Sequence, residues 1–335
     1  MTTSRRHFLQ IAAAAASTLP LARIAHGQSI TNVRVANGTT PDILSIPDVR
    51  AVEHFLPRVA PGVTGKATYV PGAVRAIQAV IAGEAEVGIA TLGSGLAAVL
   101  QSQEIQVFAL ASGARPYLVP VATKELTSLK ALEGQEVGVI SLVDSTYYLL
   151  VMMMQAAGAD PTKVQWRVVG GGAGRANALA SGGVKAAMFQ VGQALELMEK
   201  GPFQILPSSF AGLKDFIFKA FWAKKSFLDG NRALAESIVQ ANLLATREAL
   251  DKPAFMAYAV QALAPMSPDI ISRSYDILRE TGPWDPNNAL LNKTAGDFTV
   301  NEMVRFKVLA APVAFDKWAT TNFVKAAVAK LGPAK

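Results

Sequence analysis

The sequence predicts an α/β fold built from two similar lobes. A strand–helix–strand pattern occurs twice, over residues 68–89 (TYVPGAVRAIQAVIAGEAEVGI) and residues 167–189 (RVVGGGAGRANALASGGVKAAMF). When one segment is shifted onto the other, Arg175 falls on Arg75. Each segment has the length that a parallel crossover needs. Two such units predict two facing lobes, with the loops that open the helices directed into the space between them.

The composition favours a globular protein of two domains. The chain has 335 residues, of which 51% are hydrophobic and 17% charged, and this balance is typical of well-packed domains. Cysteine is absent, which excludes disulfides, thiolate zinc sites and cysteine nucleophiles. We expect no cofactor and no metal. No run of Lys and Arg with interleaved aromatic residues occurs, so we expect no nucleic-acid partner.

The N-terminus has the pattern of an export signal. SRRHFLQ at residues 4–10 is a twin-arginine motif, and the apolar stretch at residues 11–21 is short for a membrane span. Ala25 and Gly27 place small residues at the two positions that a signal peptidase reads. We therefore expect residues 1–27 to be a twin-arginine signal peptide, cleaved near Gly27, and the remaining chain to be exported to a bacterial periplasm.

In lobe one, polar loops follow the predicted strands. Residues 30–36 alternate apolar and polar side chains and form the first predicted strand. A helix over roughly residues 43–59 follows, and Pro47 allows it to be divided into two pieces. Another helix opens at the polar loop of residues 91–95. Further strands are predicted at residues 67–70, 86–90 and 106–112.

The chain then crosses into lobe two and back. Residues 113–123 lack helical periodicity and carry the first predicted crossing. The return crossing is predicted at residues 207–212, and a strand at residues 217–222 then rejoins lobe one. Besides the second repeat, the predicted elements of lobe two are strands at residues 136–140 and 203–207 and a helix over residues 145–157.

These crossings define the predicted domains. We expect residues 28–114 and 210–335 to form lobe one, and residues 115–209 to form lobe two. The end of the chain is mostly helical, and the segments at residues 231–250 and 314–331 each have an apolar stripe at helical spacing. We therefore expect a helical C-terminal tail that wraps lobe one.

Several phrases, in this order, resemble a known family. They are similar to the periplasmic substrate-binding proteins of ABC importers, of the nitrate/sulfonate/taurine type, a broad family that also includes thiamine-pyrimidine precursor binders. The resemblance implies a type II periplasmic-binding-protein fold, with two Rossmann-like lobes joined by a two-crossing hinge that closes on ligand. The matching phrases are AIQAVIAGEAEVGIATLGSG (76–95), LKALEGQEVGVISLVDSTYYLL (129–150), MQAAGADPTKVQWRVV (154–169) and FWAKKSFLDGNRALAESIVQANLLATREAL (221–250).

The resemblance also implies a ligand site at the strand ends. The sequence departs from the family at Asp144, where family members often have Gly before a Ser/Thr pair. A carboxylate there would repel an anionic ligand unless it faces away as a helix cap, which weakens the case for sulfonate or nitrate. The implied ligand-binding residues are Asn37, Thr39, Thr40, Thr91 and Ser94 in lobe one, and Ser145, Thr146, Gly171, Gly172 and Gln190 in lobe two.

Several residues near these loops have two interpretations. Ser145 and Thr146 can contact ligand or simply cap a helix. Tyr117 and Tyr147 can stack on a ligand or pack in the cleft wall. Arg75 and Arg175, each one turn into its helix, are interpreted as solvated surface residues rather than anion clamps. Arg115 near the first crossing can reach the ligand or brace the hinge.

The resemblance implies a monomeric receptor that captures a small organic solute and delivers it to an ABC permease. An organic acid, a sulfonate or a neutral heterocycle fits the polar-neutral loops. The alternatives are a receptor that feeds a membrane sensor and an enzyme similar to pyrimidine-precursor synthases on the same fold. Those synthases use a histidine and a cysteine-containing segment. Here cysteine is absent and removal of the signal peptide leaves only His54, so we expect no enzyme.

Overall fold

The computed structural model describes residues 30–207 and 213–334, and their strands form two five-stranded sheets. Lobe one has the strand order β2-β1-β3-β10-β4, and lobe two has the order β7-β6-β8-β5-β9. The strands are β1 (Asn32–Asn37), β2 (Thr64–Tyr69), β3 (Val87–Thr91), β4 (Ile105–Leu110), β5 (Val119–Thr123), β6 (Glu136–Val139), β7 (Gln165–Val168), β8 (Ala186–Phe189), β9 (Phe203–Ile205) and β10 (Lys219–Lys224).

Helices connect and cover these sheets. Two single turns of 3₁₀ helix occur at Lys130–Leu132 and Pro161–Lys163, and a π-helical segment occurs at Ala51–Phe55. The α-helices are α1 (Ile46–Arg50), α2 (Leu56–Val59), α3 (Ala73–Ala82), α4 (Leu92–Leu100), α5 (Ser145–Ala156), α6 (Gly172–Ala180), α7 (Val191–Lys200), α8 (Lys225–Gly230), α9 (Arg232–Glu248), α10 (Lys252–Ala262), α11 (Pro268–Thr281), α12 (Lys293–Arg305), α13 (Phe315–Trp318) and α14 (Asn322–Leu331).

The two sheets have the same topology, which confirms the predicted pair of similar α/β lobes. In lobe one β1 is parallel to β2 and β3, and in lobe two β6 is parallel to β7 and β8. Helix α3 links β2 to β3 across β1, and α6 links β7 to β8 across β6. The strand beside each parallel trio is antiparallel, since β10 pairs with β3 and β5 pairs with β8. The repeat seen in the sequence is therefore a repeated topology.

The chain crosses between the lobes twice. It leaves lobe one after β4 and enters lobe two as β5, and it leaves lobe two after β9 and re-enters lobe one as β10. Each lobe is therefore completed by an antiparallel strand that follows a crossing. The predicted signal peptide and the predicted lobe boundary at 209/210 lie outside the described residues, and the exact lobe boundaries stay predictions. Within the described residues, no helix combines the length and hydropathy needed to cross a membrane.

Two helical predictions differ from the structure. Pro47 does not divide the first helix, because it lies in the first turn of α1, where a backbone N–H has no intrahelical acceptor. The segment from α1 through the π-helical turn to α2 is continuous. The predicted helix over residues 314–331 is instead interrupted between α13 and α14. There Ala319 forms a parallel bridge with Val107, and Thr320 N donates to Val107 O at 2.9 Å.

The C-terminal helices cover lobe one and also reach lobe two. Helix α9 packs on the first helical segment and on α14, and α14 packs against β4. Arg50 on α1 forms an ion pair with Glu248 at the end of α9. Helix α11, however, packs against α7 of lobe two, and Arg273 forms a 3.1 Å ion pair with Glu199 there. The tail therefore forms part of the contact between the lobes.

Helix α4 and strand β10 pack closely against each other in the core of lobe one. Trp222 on β10 is fully buried, and a Cβ atom placed on Gly95 would lie 2.2 Å from its indole ring. We expect Gly95→Ala to destabilise the protein by about 1–3 kcal/mol through overpacking, measured by urea unfolding. Gly93→Ala is the matched control on the same helix, because its Cβ would meet only side-chain atoms at 3.2 Å or more. Equal effects of the two substitutions would contradict this account.

Candidate functional site

The loops after β1 and β8 meet across the space between the lobes. Gln190 follows β8 and precedes α7, and its Nε2 donates hydrogen bonds to Thr40 Oγ1 at 3.2 Å and to Asp42 Oδ2 at 2.8 Å. Both acceptors lie in the loop between β1 and α1 of lobe one. The structure thus brings together two residues that the sequence placed in the ligand site, Thr40 and Gln190, and adds Asp42 to them.

A cavity of about 240 Å³ lies beside this contact, and we call it the interlobe cleft. Residues 40–44 of lobe one form one wall, and residues 190–193 with Glu196 at the start of α7 form the opposite wall. Tyr117 from the first crossing closes one side. Ser274 and Leu278 of α11, with Met266 just before that helix, close another.

The cleft is somewhat smaller than most small-molecule sites but has the kind of lining that they have. It is bounded by four separate parts of the chain, with a mixture of apolar and polar side chains. Gly192 keeps the α7 side open, because a Cβ atom there would lie 2.9 Å from Met266 Cε and 3.8 Å from Ser274 Oγ. Ser274 is fully buried, and within the described residues its Oγ has no hydrogen-bond partner. A ligand in the cleft could supply that partner.

Asp42 is held rigidly at the edge of the cleft. Its Oδ1 accepts a hydrogen bond from Ser45 N at 2.6 Å, and Ser45 Oγ lies 2.9 Å from Tyr69 OH. Burial raises the pKa of the Asp42 carboxyl, while the charge of Lys219 acts in the opposite direction. Its Oδ2 accepts the Gln190 hydrogen bond described above, and the Tyr117 hydroxyl lies close enough to interact with the same carboxyl.

A buried ion pair lies behind the cleft at the crossings. Lys219 opens β10, Asp48 lies on α1, both are 0% exposed, and Lys219 Nζ lies 3.9 Å from Asp48 Oδ2. Ser112 N from the first crossing donates to Asp48 Oδ1 at 2.7 Å. Neither Lys219 Nζ nor Asp48 Oδ2 has a hydrogen-bond partner among the described residues. Burial raises the pKa of Asp48 to about 6, and the charge of Lys219 opposes that rise.

Tyr117 connects this ion pair to the cleft. Its ring lies 5.6 Å from Lys219 Nζ and forms an edge contact with Phe218. Burial, followed by the negative charges of Asp42 and Asp48, raises the pKa of the Tyr117 hydroxyl well above its usual value. Tyr117 is therefore a neutral hydroxyl in the cleft wall. Gly113 leaves room for the arrangement, because a Cβ atom there would lie 2.9 Å from Lys219 Cε.

Sequence analysis missed Asp42 in the cleft lining and the buried pair of Asp48 and Lys219 behind it. The available signal was a charge within an apolar segment. Lys219 is the only cation in the strand sequence IFKAFWA of residues 217–223, and Asp48 lies on the apolar side of a helix. A charge in such a position is kept by a buried partner or by a ligand, but neither can be identified from sequence alone.

The other predicted residues of lobe one lie at strand ends and contact each other. Asn37 is buried, and its Oδ1 accepts hydrogen bonds from Thr39 N at 3.2 Å and from Thr39 Oγ1 at 2.8 Å. Thr91 Oγ1 lies 3.1 Å from Ser94 Oγ at the start of α4. These four residues do not line the interlobe cleft, and their contact with ligand stays a prediction.

In lobe two, Thr146 and Asp144 form a helix cap. Thr146 N and Oγ1 both donate to Asp144 Oδ1 at 2.8 Å, and Thr146 Oγ1 accepts from Ile140 N at 3.0 Å. The Thr146 side chain is buried in these local contacts, which agrees with the helix-cap interpretation. Asp144 is likewise the cap that the sequence allowed. Ser145 is the first residue of α5, and its role in ligand binding stays a prediction.

The glycine loop of lobe two borders a second, smaller cavity. This cavity has a volume of about 220 Å³ and shares Gln193 and Glu196 with the interlobe cleft. Gly172 lines it, and a Cβ atom there would lie 3.3 Å from Gln193 Nε2. A Cβ atom on Gly171 would have no neighbour within 4 Å. Whether these two glycines contact ligand stays a prediction.

Arg175 is buried, so its interpretation as a solvated residue was wrong. Its Nε donates to Met188 O at 3.0 Å, and its NH1 donates to Gly170 O at 3.1 Å. Its guanidinium also lies 5.5 Å from the Phe189 ring centre. The side chain therefore joins the glycine loop to the end of β8, an arrangement that no local pattern predicted.

Arg75 and Arg115 agree with the interpretations that give them structural rather than ligand-binding roles. Arg75 is exposed and forms a 2.8 Å ion pair with Glu84, as expected of a surface residue. Arg115 lies between the crossings, where it donates to Lys214 O at 3.1 Å and to Gly282 O at 3.3 Å, so it braces the hinge. Tyr147 packs edge-on against Trp166 at 4.8 Å, away from the interlobe cleft.

The fold and the cleft define a class of protein. Two lobes of one topology, two crossings and a cleft between the lobes are the features of the type II periplasmic-binding fold, and solved structures of that class superpose on nearly the whole chain. The ligand-binding component of an ABC-type import system from Staphylococcus aureus matches with a TM-score of 0.72 and 13% identity, over 89% of this chain and 99% of that one.

Two periplasmic binding proteins match to a similar degree. The aliphatic sulphonate binding protein SsuA of Escherichia coli gives a TM-score of 0.71 at 14% identity, over 89% of this chain and 100% of that one. The nitrate-binding protein NrtA of Synechocystis PCC 6803 gives 0.70 at 12% identity, over 91% and 90%. At these identities the likeness establishes the fold.

The family follows from the sequence comparison. The model described as NMT1/THI5 like matches residues 67–255, which is more than half of the chain. The protein therefore belongs to the NMT1/THI5-like family, which confirms the resemblance found in the sequence. No curated protein sequence matches it significantly.

The buried Asp48 carboxyl should make stability depend on pH. Its pKa of about 6 in the folded protein lies above the reference value of 3.8, so the folded state holds a proton that the unfolded state releases between these values. Stability should therefore fall as pH rises through this window, by at most about 1.4 kcal/mol per pH unit from this group. Asp48→Asn should remove that part of the slope in urea unfolding between pH 4 and 6. An unchanged slope would contradict this account.

The Gln190 hydrogen bonds should hold the lobes together without ligand. Because the chain has no cysteine, Gln78→Cys on α3 and Asn177→Cys on α6 allow specific spin labels on exposed positions of opposite lobes. Adding Gln190→Ala should broaden the distance distribution measured by double electron–electron resonance and shift it to longer distances. Gln165→Ala, which alters an exposed side chain of β7, is the control. Identical distributions for all three proteins would exclude a role for Gln190 in lobe contact.

Proposed function

We propose that this protein is an exported solute-binding receptor that captures a small organic molecule in the interlobe cleft. The observation that carries the proposal is the cavity between two lobes that are joined by two crossings, with Gln190 of one lobe hydrogen-bonded to Thr40 and Asp42 of the other. A site divided between two lobes couples ligand binding to the lobe arrangement.

The proposed mechanism has the ligand bind first to lobe one. Residues 40–44 and Tyr117 form a preorganised surface, because Asp42 is fixed by Ser45 and Tyr117 is fixed by packing at the crossing. The start of α7 in lobe two then closes over the ligand, and Gln190 makes the hydrogen bonds that join the lobes. The hinge lies at the crossings, where Arg115 links the first crossing to Lys214.

The proposed partner is an ABC permease that recognises the closed form of a monomeric receptor. Export by the twin-arginine route, cleavage near Gly27 and a periplasmic location complete the proposal, and the ligand-binding roles of the structural relatives favour it. A receptor that feeds a membrane sensor would use the same cleft and differ only in its membrane partner.

We propose binding rather than catalysis. His54 lies in the π-helical segment, beside Arg58 and in edge contact with Phe55, and it is not among the residues that line the cleft. Burial and the charges of Arg50 and Arg58 lower its pKa. A neutral imidazole with such neighbours is better explained by packing than by acid–base chemistry on a solute. An enzyme similar to pyrimidine-precursor synthases is the second candidate function, because such synthases resemble the NMT1/THI5-like family to which this chain belongs.

Native mass spectrometry of protein purified from its own host tests the receptor function. We expect a small molecule of defined mass that is lost on denaturation. Gly192→Met should carry none, because the new side chain fills the cleft at a position where the backbone is not left-handed. Equal loading of both proteins would place the ligand elsewhere. If neither carries a molecule, even after incubation with a low-molecular-weight extract of the host, the receptor function is wrong.

A further inference from the structure

We infer that the interlobe cleft selects a small organic cation, an ammonium or amidinium group on a compact apolar body. The inference rests on the proposed receptor function and names the class of its ligand. It replaces the organic acids, sulfonates and neutral heterocycles considered from the sequence with a cation. The first observation is the set of charges that faces the cavity.

Two carboxylates line the cleft, and no cation does. Asp42 and Glu196 lie on opposite walls, and among the described lining residues there is no Lys, Arg or His. Lys219 lies nearby but does not line the cavity, and its closest carboxylate is Asp48. The charge of Lys219 acts on both Asp48 and Asp42, so one buried cation is shared by two carboxyls and does not fully balance them. An anion would meet Asp42 and Glu196 with no cation among the lining residues.

The start of α7 does not reverse this balance. Val191, Gly192 and Gln193 at the start of this helix line the cleft, and a helix N-terminus favours anions. That end carries roughly half an elementary positive charge, whereas two carboxyl groups, Asp42 and Glu196, line the cleft. The carboxylates therefore decide the sign of the preferred ligand.

The hydrogen-bonding groups on the cleft walls also favour a ligand that donates hydrogen bonds. Asp42 Oδ2 is met by Gln190 Nε2 at 2.8 Å, so an N–H group of the chain itself occupies the position that a ligand N–H would take. A carboxylate oxygen accepts more than one such bond, and a charged donor makes a stronger bond than an amide. Ser274 Oγ, buried and without a partner among the described residues, offers a second acceptor on the α11 side.

The remaining walls suit a compact apolar body. Ile43, Met266 and Leu278 line the cavity between these polar groups. The volume of about 240 Å³ admits a single small ring or a short chain, and a cation with such a body would bury its apolar part against these side chains. A thioether such as that of Met266 adapts readily to a ring.

A set of nearly isosteric probes tests the inference. Benzamidinium, benzamide, benzoate and benzenesulfonate share one ring and differ in charge and hydrogen-bonding groups. In isothermal titration calorimetry of the purified protein, benzamidinium should bind about tenfold or more tightly than benzamide, since the charge strengthens its bond to a carboxylate. Benzoate and benzenesulfonate should bind more weakly than benzamide or not at all.

Two variants assign the preference to the cleft. Asp42→Asn keeps an acceptor for Ser45 N and should reduce the benzamidinium preference over benzamide about tenfold. Glu196→Gln, on the opposite wall, should reduce it as well and serves as the second variant if Asp42→Asn fails to fold. Glu84→Gln removes an exposed charge that pairs with Arg75 outside the cleft, and should leave the preference unchanged.

Three results would overturn the inference. They are tighter binding of either anion than of benzamidinium, an equal preference in Glu196→Gln and wild type, and failure of all four probes to bind. None of them decides the receptor function, which depends on the co-purified molecule and the Gly192→Met variant. A co-purified anion would uphold the receptor function and contradict the charge preference, so the two proposals fail separately.

Discussion

The architecture depends on one antiparallel strand in each sheet that the chain adds only after it has crossed between the lobes. β10 lies between β3 and β4 and pairs antiparallel with both, so lobe one is incomplete until the chain has returned from lobe two. β5 has the same position in lobe two, between β8 and β9. Because each of these strands follows a crossing, the crossings join the two sheets, and the loops after β1 and β8 line the same cleft. The hinge, the cleft and the lobe contact all follow from this pairing.

The return of the chain into lobe one also explains why charges are buried at the hinge. Lys219 is the first residue of β10 and reaches Asp48 on the first helix, while Ser112 of the other crossing donates to the same carboxylate. One buried group thus contacts both crossings. A buried pair with incomplete hydrogen bonds contributes little net stability, because desolvation offsets the attraction. Its stronger effect is on geometry, since it fixes both crossings against α1 and holds Tyr117 in the wall of the cleft.

In the proposed receptor, contacts between the lobes use atoms that also border the ligand cleft. Asp42 Oδ2 and Thr40 Oγ1 accept from Gln190, and the ion pair of Arg273 with Glu199 adds a solvent-exposed link. In a receptor of this kind, the free energy of lobe contact without ligand lowers the apparent affinity if the ligand must first displace it. If the ligand adds to these contacts instead, the same bonds strengthen closure. The Gln190 side chain therefore bears on both affinity and closure.

Much of the fold could be predicted from sequence, because strands and amphipathic helices leave local patterns. The repeat of β2–α3–β3 in β7–α6–β8, the order of elements and the capping role of Asp144 are of this kind. Glycines, capping residues and apolar periods act over a few residues, so their effects can be read along the chain.

Tertiary structure alone decided the environment of the charges. Arg175 became a buried brace because Met188 and Gly170 offer carbonyl groups on both sides of it. α13 and α14 are separate because Ala319 pairs with β4. Asp42 accepts a hydrogen bond from Gln190, which lies 148 positions away in sequence. Lys219 reaches Asp48 because β10 returns to the sheet of lobe one. Whether a charge is solvated, paired or offered to a ligand depends on such distant neighbours, whereas the sequence by itself determined the two-lobed α/β plan that brings them together.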